Sequence, residues 1–199
     1  MADEDGSPRH PRRARRRTNR EVIILGIDPG TLVTGYGVVS RSASGMRLLG
    51  CGTIKNDSRR SMPLRLMAIY TELCAVITAF HPDECAVESA FYGKNAQSAL
   101  KLGHARGVSI LAAVLHEIPT SEYSPREVKR AVVGNGAASK EQVQFMVKSL
   151  LHATHSKMLL DASDAIATAV CHLHRLGAPA LKCKDWKSFV RDHPDRVRP

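Results

Sequence analysis

The sequence is poor in aromatic side chains and has no long apolar stretch. Aromatic residues make up 5% of the 199 residues, and there is a single tryptophan. No run of about 18 apolar residues is present, so we expect no transmembrane helix and no membrane partner. The N-terminus also lacks the apolar core of a signal peptide. With 43% hydrophobic residues, the chain is expected to fold as one globular domain with a sizeable core.

Cysteine is scarce, and its spacing suggests no pairing. The five cysteines are odd in number, widely spaced and never arranged as C-x-x-C. This pattern argues against a disulfide framework and against a cysteine-ligated zinc site. It predicts reduced thiols in a cytoplasmic protein. The cysteines are Cys51, Cys74, Cys85, Cys171 and Cys183.

Acidic residues are outnumbered by basic ones. The chain has 29 Lys and Arg against 19 Asp and Glu, a net charge of +10, which favours a polyanionic partner such as nucleic acid. Residues 1–20 hold seven arginines and three acids, with too little apolar surface to fold. We predict a disordered basic arm at 1–20, a folded domain at 21–178 and a basic tail at 179–199. The arm either binds phosphate non-specifically or is a dispensable extension.

The hydrophobic pattern predicts an α/β fold. Two short connections imply that the first three strands pair antiparallel, and connections through helices imply that the last two strands run parallel to the first. The predicted strands lie at residues 22–28, 36–40, 47–55, 85–88 and 119–123. Helices are predicted to begin at Pro63, Asn95, Pro125 and Ser139 and after Asp164, from apolar spacing and capping signals. The expected architecture is a five-stranded mixed sheet with helices on both faces.

Acidic side chains follow two of the predicted strands. Asp28 ends the first strand, because Pro29 and Gly30 cannot continue it. Glu88 ends the fourth strand, so the two carboxylates are expected at the edge where α/β proteins bind ligands. Asp161 and Asp164 lie three residues apart at the start of the final helix and share a face. Each acid alone is also explained by turn formation or helix capping.

Four converging carboxylates would repel one another unless a cation neutralises them. Oxygen ligands with no nearby Cys or His favour Mg²⁺, with Mn²⁺ as a substitute, over zinc. Two such ions about 4 Å apart can activate water and stabilise the leaving oxygen of a phosphodiester. In a basic chain, the four acids therefore predict a metal-dependent nuclease.

Four segments together resemble the RuvC family of bacterial Holliday junction resolvases, which have a ribonuclease H-like fold. They are GIDPGTLVTGYGVV from Gly26, AVESAFYGKNAQSALKLGHARGV from Ala86, EYSPREVKRAVVGNGAASKEQVQFMV from Glu122 and DASDAIATAVCH from Asp161. They occur in the family's order, and the resemblance runs from about residue 22 to residue 174.

The resemblance implies an activity and its partners. It implies a crossover junction endodeoxyribonuclease that nicks two opposed strands of a four-way DNA junction, in recombination and repair at the nucleoid. It implies that Asp28, Glu88, Asp161 and Asp164 are catalytic and hold Mg²⁺. Some members carry His at the position of Asp161, and the acid found here is expected to favour hard cations. A homodimer and the branch-migration proteins RuvA and RuvB are implied as partners.

Further side chains are candidates for contact with DNA. In the family, an aromatic at the position of Phe91 contacts the junction, and Lys129 and Lys140 match basic positions near the scissile phosphate. A lysine there would neutralise charge in the transition state, so Lys140 is also predicted to be catalytic. The alternatives are an aromatic packed into the core and lysines that are merely solvated. Weaker candidates for binding DNA are Lys94, Arg106, Arg126 and Arg130.

Three other functions are compatible with parts of the pattern. The segment GIDPGT also occurs in the phosphate loop of actin-like and sugar-kinase ATPases, but the chain is short for their two lobes. A non-catalytic nucleic-acid-binding module is disfavoured because an acid cluster without a metal would only destabilise the fold. A ribonuclease H-like nuclease acting on another substrate remains open.

Overall fold

The computed structural model describes residues 21–89, 96–152 and 162–177. The predicted basic arm and tail lie outside these residues. The predicted five-stranded mixed sheet is confirmed, with strand order β3-β2-β1-β4-β5. The strands are β1 Val22–Asp28, β2 Val33–Ser42, β3 Gly45–Lys55, β4 Glu84–Glu88 and β5 Thr120–Tyr123.

β1 is the central strand, because its run of apolar residues is buried on both faces. It pairs antiparallel with β2 on one side and parallel with β4 on the other. β2 begins at Val33, three residues before the predicted start. Thr34 is the reason: its hydroxyl donates a hydrogen bond to the Gly30 carbonyl at 2.7 Å and closes the turn from β1 within four residues.

Helices cover both faces of the sheet. α1 and α2 pack on one face, against a core that includes Leu25, Ile27 and Val87. α3, α4 and α5 pack on the other, against a core that includes Ile24 and Ala86. The helices are α1 Met62–Phe80, α2 Ala96–Leu115, α3 Pro125–Val133, α4 Lys140–Leu150 and α5 Ser163–Gly177.

Capping boxes set the starts of α3 and α4, where the sequence predicted an N-cap at Ser124 and a capping box at Ser139. The Ser124 hydroxyl accepts from the Glu127 amide, and the Glu127 carboxylate accepts from the Ser124 amide. Ser139 and Gln142 make the same reciprocal pair at the start of α4. Each box satisfies amides that a helix N-terminus otherwise leaves unpaired. The second box fixes the start of α4 at Lys140, and so the position from which the Lys140 side chain extends.

One helix among the described residues, α1, is long and apolar enough to cross a membrane by length and composition alone. The prediction of no transmembrane helix rested on the lack of an unbroken apolar run, and α1 is not such a run because it contains Arg65 and Glu72. Ile69, Leu73, Val76 and Ile77 of α1 are buried in the core beneath the sheet. A helix that lies over a sheet and beside another helix needs this apolar content for packing.

Candidate active site

The first two predicted acids lie side by side at one edge of the sheet. Ile27 of β1 is in register with Val87 of β4, so Asp28 and Glu88 are the next residues of two parallel neighbours. Both side chains are half-buried. The turn after Asp28 is held in place by Asn56, whose amide donates to the Thr31 carbonyl at 3.2 Å. This turn and the sheet hold Asp28 and Glu88 rigidly at their roots.

α5 brings Asp164 to the same edge because glycines let the helix lie directly on the strands. A Cβ at Gly26 would be 2.1 Å from the Ala165 carbonyl oxygen, and one at Gly37 would be 2.5 Å from Cγ1 of Ile166. Real Cβ atoms cannot approach this closely, so larger residues would lift the helix from the sheet. The sequence suggested close packing from the alanines of α5, but the matching glycines on β1 and β2 were missed. Their signal was glycine within apolar strands, which marks a close backbone approach.

Burial and mutual repulsion raise the pKa of both strand acids. The pKa of Asp28 rises from its usual 3.8 to about 6, first because of desolvation and then because of the nearby Asp164 carboxylate. The pKa of Glu88 rises from 4.5 to about 8, first through desolvation and then through repulsion by Asp28 and Asp164. These shifts mean that the three carboxylates share one poorly hydrated space. An arrangement that costs folding energy points to a functional site.

Two lysines offset this negative charge. The Lys140 ammonium donates to Oδ2 of Asp164 at 2.5 Å, and this contact is the first cause of the raised pKa of Lys140. Lys140 lowers the pKa of Asp28 and Glu88, and Lys129 lowers that of Glu88. The sequence made both lysines candidates for contact with DNA and predicted a catalytic role for Lys140. Among the described residues, Lys140 is the lysine in direct contact with an acid of the site.

The donor set at this edge fits a hard divalent cation. Its ligands are carboxylate oxygens. The carboxyl groups of Asp28 and Glu88 have raised pKa values, and a bound cation would lower them. Within residues 21–89, 96–152 and 162–177, no three Asp, Glu, His or Cys side chains form a ready-made metal-ligand set. The Lys140 ammonium is hydrogen-bonded to one oxygen of Asp164.

The remaining predicted residues fall into two groups. Phe91, Lys94 and Asp161 lie outside the described residues. Arg106 forms an ion pair with Glu122 of β5, and its Nε is buried without a hydrogen bond, so part of its side chain is committed to the fold. Both Arg126 and Arg130 of α3 are exposed and accessible to a phosphate.

The chain is similar to a known protein family over most of its length. The sequence profile of "Crossover junction endodeoxyribonuclease RuvC" matches residues 24–172. The RuvC of Porphyromonas gingivalis is 42% identical over 186 residues, covering 90% of this chain and 98% of its own. That of Photobacterium profundum is 53% identical over 152 residues, covering 76% and 87%.

Solved structures match the fold. A structure of T. thermophilus RuvC in complex with a Holliday junction substrate is 32% identical, with a TM-score of 0.73, and the match covers 78% of this chain and 94% of that one. The yeast mitochondrial Holliday junction resolvase Ydc2 is 13% identical with a TM-score of 0.56, covering 76% and 77%, and supports the fold alone.

Proposed function

Because this chain belongs to the RuvC family of crossover junction endodeoxyribonucleases, we propose that it cuts four-way DNA junctions with metal ions held by Asp28, Glu88, Asp161 and Asp164. Family membership makes it a metal-dependent nuclease that resolves Holliday junctions. The observation that carries the assignment of residues is the crowding of Asp28, Glu88 and Asp164 at one sheet edge, where burial and repulsion raise two pKa values.

We assign Mg²⁺ as the cation, with Mn²⁺ as a substitute, because all the available ligands are carboxylate oxygens. Two ions, when bound, would activate the attacking water and neutralise the charge on the phosphate. Asp28 and Glu88 hold their oxygens on a rigid sheet edge, so little conformational freedom is lost when a cation binds. With a cation held there, the Asp164 carboxylate would bind it, and the Lys140 ammonium would be available for the phosphate.

Lys140 then acts on the substrate. Its ammonium lies at the edge of the acid cluster and is exposed, so it can reach a non-bridging oxygen of the scissile phosphate. There it neutralises charge that grows as water attacks. Lys129 contributes a second positive charge near Glu88. The products would carry a 5′-phosphate and a 3′-hydroxyl.

The test is a nicking assay with three substrates in parallel: a four-way junction, a plain duplex and an RNA–DNA hybrid, each in Mg²⁺. The wild type should cut only the junction, at paired positions on opposed strands. Asp28→Asn should abolish cutting and still bind the junction, because it removes a carboxylate and no basic side chain. Asp57→Asn is the matched control, since Asp57 is an exposed acid paired with Arg59. Full activity in Asp28→Asn would overturn the carboxylate assignment, and cutting of the hybrid would favour a ribonuclease H.

Two cuts on opposed strands call for a two-fold enzyme, and α2 offers a surface for a homodimer. Its exposed apolar side chains are Leu100, Leu111, Val114 and Leu115. A Cβ added at Gly103 or Gly107 of the same helix would meet no atom within 4 Å. An apolar helix face with open glycines suits close packing against a second copy. Leu111→Arg should convert the dimer to a monomer in sedimentation, and an unchanged dimer would exclude this face.

We also propose the setting in which the enzyme works. RuvC relatives act on DNA, which in bacteria lies in the cytoplasm, and we place this chain at the nucleoid in recombination and repair. RuvA and RuvB are the proposed partners that move the junction. The predicted basic arm at 1–20 would add phosphate contacts that do not depend on sequence.

A further inference from the structure

A buried chain of hydrogen bonds runs from Tyr123, which is in register with Glu88, to Glu84 at the start of β4. His172 of α5 is 3% exposed. Its Nδ1 is 2.6 Å from the hydroxyl of Tyr123 on β5, and its Nε2 is 2.9 Å from Oε2 of Glu84 on β4. The Tyr123 and His172 rings also meet edge to face, with centroids 5.6 Å apart.

The partners define the hydrogen-bond directions. The Glu84 carboxylate only accepts, so the Nε2–H of His172 donates to it. When the ring is uncharged, Nδ1 then accepts from the Tyr123 hydroxyl. Both nitrogens are satisfied, as a buried imidazole requires. The proposed chemistry of the acid cluster makes no use of this chain of contacts.

The Glu84–His172 hydrogen bond joins β4 and α5, which also carry Glu88 and Asp164. β4 starts with Glu84 and ends with Glu88, and α5 carries Asp164 in its first turn and His172 eight residues later. Four strand residues rise about 13 Å, and eight helix residues rise about 12 Å. The two lengths agree, so fixing His172 level with Glu84 also fixes Asp164 level with Glu88.

Other contacts at this end of α5 lead elsewhere. The Leu173 carbonyl accepts from the Arg41 guanidinium of β2, and Nδ1 of His174 lies 2.9 Å from the Ala131 carbonyl of α3. These contacts hold the helix on the domain. The Glu84–His172 hydrogen bond ties it to the strand that carries Glu88.

We propose that His172 is a positioning residue for the metal site, acting through Glu84 to set the height of α5 along β4. At the acid end, Asp164 and Glu88 repel each other, and this repulsion pushes α5 away from Glu88. The hydrogen bond at Glu84 opposes such a shift and helps to hold the acid oxygens at the spacing that a cation requires. The inference rests on the proposed function of the acids.

The test compares Glu84→Ala with Glu84→Gln, because Glu84 is partly exposed and its truncation spares the core. The Gln amide oxygen still accepts from Nε2–H, so Gln keeps the contact and Ala removes it. Mn²⁺ binding is measured by electron paramagnetic resonance without DNA, and kcat and KM are measured on a synthetic junction. Hydrogen-bond partners of the ligands themselves affect metal affinity by about ten- to a hundred-fold, and a contact that acts through the helix is expected at the lower end of that range.

Glu84→Ala should bind Mn²⁺ about tenfold more weakly and lower kcat at fixed metal, with KM for the junction unchanged. Glu84→Gln should restore both values. Ser109→Ala is the control, since it removes a buried hydrogen bond within α2, on the other face of the sheet. It should lower Tm without changing Mn²⁺ affinity. The proposal would be overturned if Glu84→Ala bound Mn²⁺ as tightly as the wild type does. It would also be overturned if Ser109→Ala lost Mn²⁺ affinity in proportion to its fall in Tm.

An Asp28→Asn sample separates the two levels of inference. If that variant binds Mn²⁺ and cuts like the wild type, the acids are not the metal site and the positioning role fails with them. If Asp28→Asn loses Mn²⁺ while Glu84→Ala keeps it, the proposed function stands and only the role of His172 is refuted.

Discussion

Replacing Asp28 with Asn should stabilise the metal-free protein while it destroys activity. The side chain is half-buried next to Glu88 and Asp164, and its pKa rises from 3.8 to about 6. The folded protein therefore binds a proton at Asp28 more readily than the unfolded chain does. Stability falls as pH rises from about 4 to about 6, and the full cost is present at neutral pH. Asn has the same shape and no charge, so it avoids that cost.

The size of the effect follows from the pKa. One pKa unit corresponds to about 1.4 kcal/mol, so ionising Asp28 costs the folded state about 3 kcal/mol. Part of this remains in the variant, because an amide in this space is also desolvated and Lys140 loses an attraction. We expect a net gain of about 1–2 kcal/mol at pH 7.5, or roughly 3–6 °C in Tm for a domain of this size.

The measurement is thermal unfolding of wild type and Asp28→Asn in EDTA at pH 7.5 and at pH 4, followed by the same pair in Mg²⁺. The gain should be present at pH 7.5 and absent at pH 4. Mg²⁺ should raise the Tm of the wild type more than that of the variant, because a ligand stabilises only the state that binds it. Asp57→Asn, on the surface, should show no gain. A variant that is equally or less stable at pH 7.5 would refute the placement of Asp28 in a shared acidic space.

Four further outcomes are expected. Because the pKa of Glu88 is about 8, metal binding near pH 7 should release about one proton, and affinity should rise up to pH 8; calorimetry in two buffers with no proton release would contradict this. Lys140→Met should lower kcat about a hundredfold with little change in KM, and an unchanged kcat in a junction assay would remove its role. Gly26→Ala should lower the free energy of unfolding by about 3 kcal/mol in chemical denaturation. Gly35→Ala should be tolerated, because its Cβ would be 3.5 Å from its nearest neighbour. Equal stabilities of the two variants would exclude the close packing of α5 on the sheet. Deletion of residues 1–20 should weaken junction binding and flatten its salt dependence, and an identical salt slope would leave the arm without that role.

Local chemistry made much of this molecule readable in advance. A β-branched run stopped by Pro29 and Gly30 predicts a buried strand with Asp28 at its tip, and β1 ends at Asp28. Ser124 and Ser139, each followed three residues later by Glu or Gln, predict two helix starts that the structure confirms. These signals lie within a few neighbouring residues, where backbone preferences decide the conformation.

Contacts between distant segments were decided only by the tertiary structure. The resemblance placed both Lys129 and Lys140 near the scissile phosphate, but the contact between Lys140 and Asp164, 24 residues away, follows from the path of α4. The sequence made Arg106 a candidate for contact with DNA, whereas in the fold Arg106 forms an ion pair with Glu122. It gave His172 no role, because a histidine in an apolar helix has no local signal for a partner 88 residues away.

The sequence by itself determined which residues could form an acid cluster, since strand ends and helix starts depend on nearby residues. The height and distance at which those acids meet were decided by packing. They depend on glycines of β1 and β2 that accept α5, and on the hydrogen bond that ties His172 to Glu84. Such spacing depends on several elements at once, because no single strand or helix sets the distance between acids that lie on different ones.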